Sequence, residues 1–176
     1  MTLTEFLIML KLSSGSSGSG GGGDYDKYFE GGYADVNLPN ATKLKGSAFQ
    51  YDQDIVSFVG ERIKEVGDYG FARSFALATV QLPILESVGE YVFSECTSLV
   101  IEDLPETLQS LGTGAFNSCT SLQSVTFHST PTIGSNCFKN CTNLQSIKVP
   151  WSKGAVKGAP WGASSTDIII YNYTGD

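Results

Sequence analysis

The stretch LESVGEYVFSECTSL, Leu85–Leu99, recurs as LQSLGTGAFNSCTSL, Leu108–Leu122, and again as TIGSNCFKNCTNL, Thr132–Leu144. Each version centres on a phenylalanine. An aliphatic residue stands five positions before it and a glycine four before; a cysteine, a threonine and a leucine stand three, four and six after. Extending the register outward gives Phe49, Phe71, Phe93, Phe116 and Phe138, at intervals of 22, 22, 23 and 22 residues. The aliphatic series is Leu44, Val66, Val88, Leu111 and Ile133, and the series six after is Ile55, Leu77, Leu99, Leu122 and Leu144. A half repeat, Leu38-Pro39, precedes the array as Leu82-Pro83 precedes Phe93.

One unit of this length cannot bury its own apolar face. Stacking units places each Phe over the previous Phe and each Leu over the previous Leu, which builds a continuous core from nearest-neighbour contacts. Nine and eleven positions after Phe the residues are mostly apolar and alternate with polar neighbours, the period of a short strand. Pro83, Pro105 and Pro150 end it, since proline cannot donate to a ladder. The recurrent glycine suits a turn of positive φ or a close backbone approach, and the segment from it to three after Phe is expected to be a tight turn leading into one helical turn. Glu102 stands where Val80, Val125 and Ile147 stand elsewhere, so the strand of that copy is expected to slip by a residue and use Ile101.

These residues resemble the BspA-like leucine-rich repeats, also called the Treponema pallidum type, over about residues 36–150. Asp52 and Ser74 replace the cysteine in the first two copies, and Phe75-Ala76 departs from the Thr-Ser pattern. The resemblance implies a curved solenoid with a parallel sheet on one face, roles in adhesion and in protein or glycan binding, and no catalysis. The C-terminal segment, with Trp151, Trp161 and Ile168–Tyr173, resembles the end of phage- and prophage-encoded members.

Ahead of the repeats, Leu3, Phe6, Leu7 and Leu10 fall at the spacing of one helical face, which predicts an apolar helix over residues 1–12 for anchoring or assembly. A helix of that length is marginal alone, so it needs a partner or packs back on the solenoid. Residues 13–23, SSGSSGSGGGG, read as a flexible linker, native or introduced. The expected organisation is helix 1–12, linker 13–23, solenoid 24–150 and C-terminal cap 151–176, a β-rich leucine-rich repeat solenoid with parallel sheet and short helical turns.

Chemistry is sparse. Of 176 residues, 16% are charged, with a net charge of −7. Residues 1–106 hold 16 acids against 7 bases, while 107–166 hold four lysines and no acid. Four spaced lysines do not make a phosphate-tracking groove, which argues against nucleic acid. No stretch approaches the roughly 20 apolar residues of a membrane span, and Met1–Leu12 lacks the basic start and small-residue cleavage site of a signal peptide. Cys96, Cys119, Cys137 and Cys141 contain no CxxC pair and have only His128 to join them, so they read as small buried residues rather than zinc ligands or disulfides. His128 has no nucleophile or acid placed with it by the sequence, and Glu102 and Asp103 point to opposite faces of a strand. Asn172-Tyr173-Thr174 matches a glycosylation sequon, relevant only in a eukaryotic secretory pathway.

No catalytic residue, metal or cofactor is therefore predicted. Ligand-binding residues are expected on the exposed sheet face: Thr79, Gln81, Asp103, Ser124, Thr126, Ser146 and Lys148. The expected function is that of a structural and adhesion protein in a phage virion, as fibre, baseplate or head decoration. It would meet a host-surface protein or glycan, and join other virion proteins or its own copies through the N-terminal helix. The alternatives are a bacterial or protozoal cell-surface adhesin and a protein-interaction or inhibitor module.

Overall fold

The computed structural model describes residues 34–175. The predicted helix with Leu3, Phe6, Leu7 and Leu10, and the linker after it, lie outside the described residues. The rest is a parallel β-solenoid with strands on two faces.

One face carries three-residue strands: β1 (Asp35–Asn37), β3 (Ser57–Val59), β5 (Thr79–Gln81), β8 (Ser124–Thr126) and β10 (Ser146–Lys148), closed by the two-residue β11 (Ile169–Ile170). The other carries two-residue strands: β2 (Lys43–Leu44), β4 (Glu65–Val66), β6 (Ser87–Val88), β7 (Ser110–Leu111) and β9 (Thr132–Ile133). The second set forms one five-stranded sheet, ordered β2-β4-β6-β7-β9, whereas the first is broken into β1-β3-β5 and β8-β10-β11.

The expected parallel stacking is present, with one face more than the sequence suggested. The expected helical turn after the glycine is absent. That segment is turn, and among the described residues the one helical element is a 3-10 turn at Thr166–Ile168. The reason lies in its backbone. Residues two before and two after each Phe adopt positive φ, from Ser47 (58°) and Tyr51 (62°) to Asn136 (57°) and Asn140 (59°). Two left-handed residues around one Phe cannot continue a right-handed helix.

The turn holds because it is hydrogen-bonded coil to coil: Phe49 N–H donates to Gly70 C=O at 2.7 Å, Phe71 to Val92 at 2.8 Å and Phe93 to Ala115 at 2.8 Å. This also stacks the rings. Phe49, Phe71, Phe93, Phe116 and Phe138 follow one another at centroid distances of 5.4, 5.5, 5.3 and 5.7 Å, within 10° of parallel. The leucine row of Ile55, Leu77, Leu99, Leu122 and Leu144 is buried beside them. Trp151 and Trp161, both buried, close this core at its C-terminal end against Phe127.

The recurrent glycines are required by approach. A Cβ on Gly67 would lie 2.6 Å from Gly46 N, and one on Gly112 would lie 2.6 Å from Glu90 N. Neither residue has positive φ, so of the two roles open to the repeat glycine, close packing of successive backbones is the one realised.

Sequence explains the break. In an intact rung the middle residue of the strand points into the core, as Phe58, Val125 and Ile147 do. Copy three offers Glu102 there, and burying an unpaired carboxylate costs several kcal/mol. Glu102 stays exposed and the strand does not form. The expected one-residue shift onto Ile101 is not adopted either: Ile101 packs partly buried against the core, but the only pairing left is an isolated bridge between Asp103 and Thr126. Leu104 then returns to the core, and the extra residue of this 23-residue copy is absorbed between Leu104 and Leu108.

Candidate binding surfaces

The seven sequence-predicted site residues do share the three-residue-strand face, but the break divides them. Thr79 and Gln81 sit exposed on β5. Ser124 and Thr126 lie on β8, and Ser146 and Lys148 on β10. Ser124 Oγ and Ser146 Oγ are 2.9 Å apart, and Lys148 Nζ stands 5.0 Å over the Tyr173 ring. Thr126 departs from expectation. It is buried at 6% exposure, with Asp103 bridged on one side and Lys148 paired on the other.

Where the sheet parts, β5 is left as an edge. Val100 N–H donates to Ala78 C=O at 3.0 Å, and on the far side Thr126 N–H donates to Glu102 C=O at 2.7 Å. Copy three thus touches each neighbouring strand at its margin without lying between them as a strand. Val80, whose counterparts Phe58 and Val125 are buried, is only partly buried. The result is a groove of about 590 Å³ with Val80, Leu82, Ile101 and Leu104 in its lining and Glu61, Asp103 and Glu106 among its polar residues. His128 Nε2 and Asp103 Oδ1 lie 2.8 Å apart beside it. Glu102 is legible in the sequence as an irregularity; the groove beside it depends on the strand that copy three does not form.

A second surface lies on the phenylalanine turns. The positive-φ residues form two rows, at least partly exposed at every position but the buried Gly114. One row runs Ser47, Tyr69, Tyr91, Gly114, Asn136; the other runs Tyr51, Arg73, Glu95, Ser118, Asn140. Tyr69 and Tyr91 stack at 5.4 Å. Arg73 lies 5.4 Å over the Tyr51 ring and donates from Nε to Glu95 Oε1 at 3.0 Å. The hydrogen bond to Glu95, with its charge, holds the Arg73 guanidinium above its ordinary pKa. Between the rows is a hollow of about 300 Å³. The repeat pattern of the sequence gives these positions no role.

The cysteines are structural, as expected from sequence. All four are buried and free. Cys96, Cys119 and Cys141 direct Sγ to the Phe71, Phe93 and Phe116 carbonyls of the preceding coil, at 3.0, 2.9 and 3.0 Å. Ser74 makes the same bond in copy two, to Phe49 C=O at 2.6 Å. Asp52, in copy one, instead accepts from Asp54 N–H at 3.1 Å and Ile55 N–H at 3.2 Å. Burial pushes the Cys96 and Cys137 thiols up to about 12, Cys141 to about 11, and Cys119 well above its ordinary value. Such thiols are poor nucleophiles. Among the described residues, no three His, Cys, Asp or Glu side chains gather as a metal site, and no helix is long and apolar enough to cross a membrane.

Comparison with known proteins fits this architecture. The profile described as "BspA type Leucine rich repeat region (6 copies)" matches residues 42–157. A leucine-rich repeat protein of T. pallidum is similar in structure at a TM-score of 0.62 and 28% identity, over 65% of this chain and 58% of that one. A leucine-rich repeat protein from Bacteroides ovatus is similar at a TM-score of 0.61 and 25% identity, over 78% of this chain and 42% of that one. One from Eubacterium ventriosum shares the fold at a TM-score of 0.57 and 19% identity, over 66% of this chain and 32% of that one. This chain thus spans less than two thirds of the length of these solved relatives. No curated protein sequence matches it. The fold is one of structural and binding proteins, and the chain belongs to the BspA-type leucine-rich repeat family.

Proposed function

We propose that this chain is a non-catalytic protein-binding module and that its partner enters the broken face as an extended segment. The observation carrying this reading is the break itself. An unpaired strand edge offers backbone groups for strand addition, and alternate side chains of the added segment find pockets. Here the edge is β5 and the pocket is floored by Val80, Ile101 and Leu104. Glu61, Asp103 and Glu106 make the surroundings acidic. The fitting partner segment is therefore extended, carries an aliphatic side chain, and has lysine or arginine beside it.

Peptides selected from a random displayed library on the purified chain test this. Val80→Asp places a charge in the pocket and is expected to weaken a selected peptide at least tenfold, with circular dichroism unchanged. Peptides that bind the variant equally well, or a library that yields none, would refute the reading.

At a finer level we propose a setting: a phage virion component facing the host surface, in preference to a cellular adhesin or an inhibitor module. Support comes from the likeness of the Trp151–Tyr173 segment to the ends of phage-encoded members. Mass spectrometry of purified virions decides it, and absence of the chain there would sink it.

A further inference from the structure

The rows flanking the phenylalanine turns contain a contradiction in residue choice. Every coil needs two left-handed residues. Non-glycine residues avoid that region, with Asn among the least averse, and a bulky residue there signals a constraint beyond folding. Copies four and five supply mostly expected types: Gly114 (φ 63°), Ser118 (61°), Asn136 (57°) and Asn140 (59°). Copies two and three place Tyr69 (59°), Arg73 (64°), Tyr91 (52°) and Glu95 (61°) at the equivalent positions. The backbone is the same in all four coils, so its geometry does not call for the large residues. Strained, chemically rich positions of this kind cluster at binding sites.

The exceptions also converge. Tyr69 and Tyr91 on one side, and Tyr51, Arg73 and Glu95 on the other, line the hollow of about 300 Å³, with Asn117 alongside. The buried Ala72 and Ser94 lie between the rows in sequence and contribute to the same lining. In copies four and five the corresponding rows are short side chains or none.

The chemistry selects among ligands. A peptide strand needs main-chain partners, but the turn amides here are already committed between coils: Tyr69 N–H to Glu90 C=O at 2.8 Å, Phe71 to Val92 at 2.8 Å, Arg73 to Ser94 at 2.8 Å. A free anion meets a guanidinium already paired with Glu95. What remains is side-chain recognition at balanced charge. Tyrosine offers an apolar ring with a polar tip. Of the five donors of a guanidinium, Arg73 uses one on Glu95 and one, at 3.4 Å, on the Tyr51 hydroxyl. Carboxylate and amide groups complete a set suited to a ring bearing several hydroxyls.

We propose that this hollow is a second binding site, distinct from the broken face, and that it takes a neutral saccharide of mono- or disaccharide size. C–H faces of the sugar lie against the tyrosine rings, while its hydroxyls pair with Arg73, Glu95 and Asn117.

The test uses the residues that the chain itself places at these positions in its fifth copy. Tyr69→Asn copies Asn136, and Arg73→Asn copies Asn140. The full chain is applied to a printed array of neutral, sialylated and sulfated oligosaccharides, and its best neutral binder is titrated calorimetrically. Wild type is expected to bind neutral glycans. Each variant is expected to bind at least tenfold more weakly, with Tm unchanged or raised, because asparagine tolerates positive φ. The Val80→Asp variant is expected to bind the glycan normally, so failure at one site is separable from failure at the other. Absence of neutral-glycan binding, binding confined to the acidic glycans, or binding that survives both variants overturns the proposal. A binding loss matched by a fall in Tm would make the residues structural and overturn it too.

Discussion

The two strand-bearing faces are built from the same coils, yet one runs unbroken through five strands and the other parts in the middle. On the continuous face, Leu44, Val66, Val88 and Leu111 point inward and are buried, with Ile133 following in register. Glycine follows the inward residue directly in every copy but the first, where Gly46 lies one position on. On the broken face the inward positions read Val36, Phe58, Val80, Glu102, Val125 and Ile147. A solenoid built from nearest-neighbour contacts tolerates one bad rung, because the rungs beyond it are stabilised by their own neighbours. It tolerates this on one face only while the other holds the coils in register. Exposed ion pairs such as Lys43–Glu65 and Lys64–Glu86 line the continuous face, but at such exposure each contributes ~0.5 kcal/mol or less. Close backbone packing matters more.

Gly112 is therefore where the comparison breaks most sharply. A Cβ there meets the Gly89 carbonyl and lies 2.6 Å from Glu90 N, both main chain, which has no rotamer to yield. Gly112→Ala is expected to destabilise by about 3 kcal/mol, the upper range of overpacking, in urea denaturation. Gly154→Ala serves as the control. It has φ of 91° and nothing within 4 Å, so only the backbone penalty of about 1–2 kcal/mol applies. Equal losses at the two sites would mean that coil-to-coil approach does not hold the continuous face.

This contrast also shows what can be read in sequence. The phenylalanine and leucine rows are legible because stacking demands like residues at like positions, and their period survives a one-residue insertion. The second face is harder to see. Two residues such as Ser87-Val88 hold too few alternations to register as a strand. Alternation is enough to put Thr79, Gln81, Ser124 and Ser146 on strands of the one face, whereas the burial of Thr126 beside the Asp103 bridge is not legible from it. The paired left-handed positions are nearly invisible where Tyr69, Arg73 and Glu95 occupy them. The clue was in copies four and five, where Gly114, Asn136 and Asn140 occur at the spacing of the missing signal.

The thiol row stitches the coils beside the break and gives a pH test. The folded-state pKa of Cys96 and Cys137 is raised to about 12, above the ordinary thiol value near 9. A group that holds its proton more tightly when folded contributes stability fully below the unfolded pKa and loses it as pH rises through the folded one. Stability should thus be flat from neutrality to about pH 8, then fall between about 9 and 12. Cys119→Ser keeps a donor for the Phe93 carbonyl, as Ser74 does for Phe49, and should shift the midpoint at pH 7 by about 1 kcal/mol or less. An alkaline profile no steeper than that of a variant with all four cysteines replaced by serine would show that the thiols do not set it.

A comparably small expected effect is the most informative about the break. Glu102→Val supplies the inward residue that Val80 and Val125 supply on either side. If charge alone parts the sheet, a strand forms across copy three, Val80 is covered, and the two three-stranded sheets become one. The gain is limited. Burying one valine contributes about 1.5–3 kcal/mol, and fixing one further residue of a segment already held at both margins costs about 1–2 kcal/mol, so a net stabilisation of about 1 kcal/mol is expected. Hydrogen exchange reads the change locally: the Val80 and Leu82 amides should become protected, while the Val88 amide on the continuous face should not change. The same substitution should close the groove to a selected peptide. Protection without loss of the peptide would separate the break from the binding it is proposed to serve. An unchanged exchange pattern would shift the cause of the break from Glu102 to the inserted residue between Leu104 and Leu108.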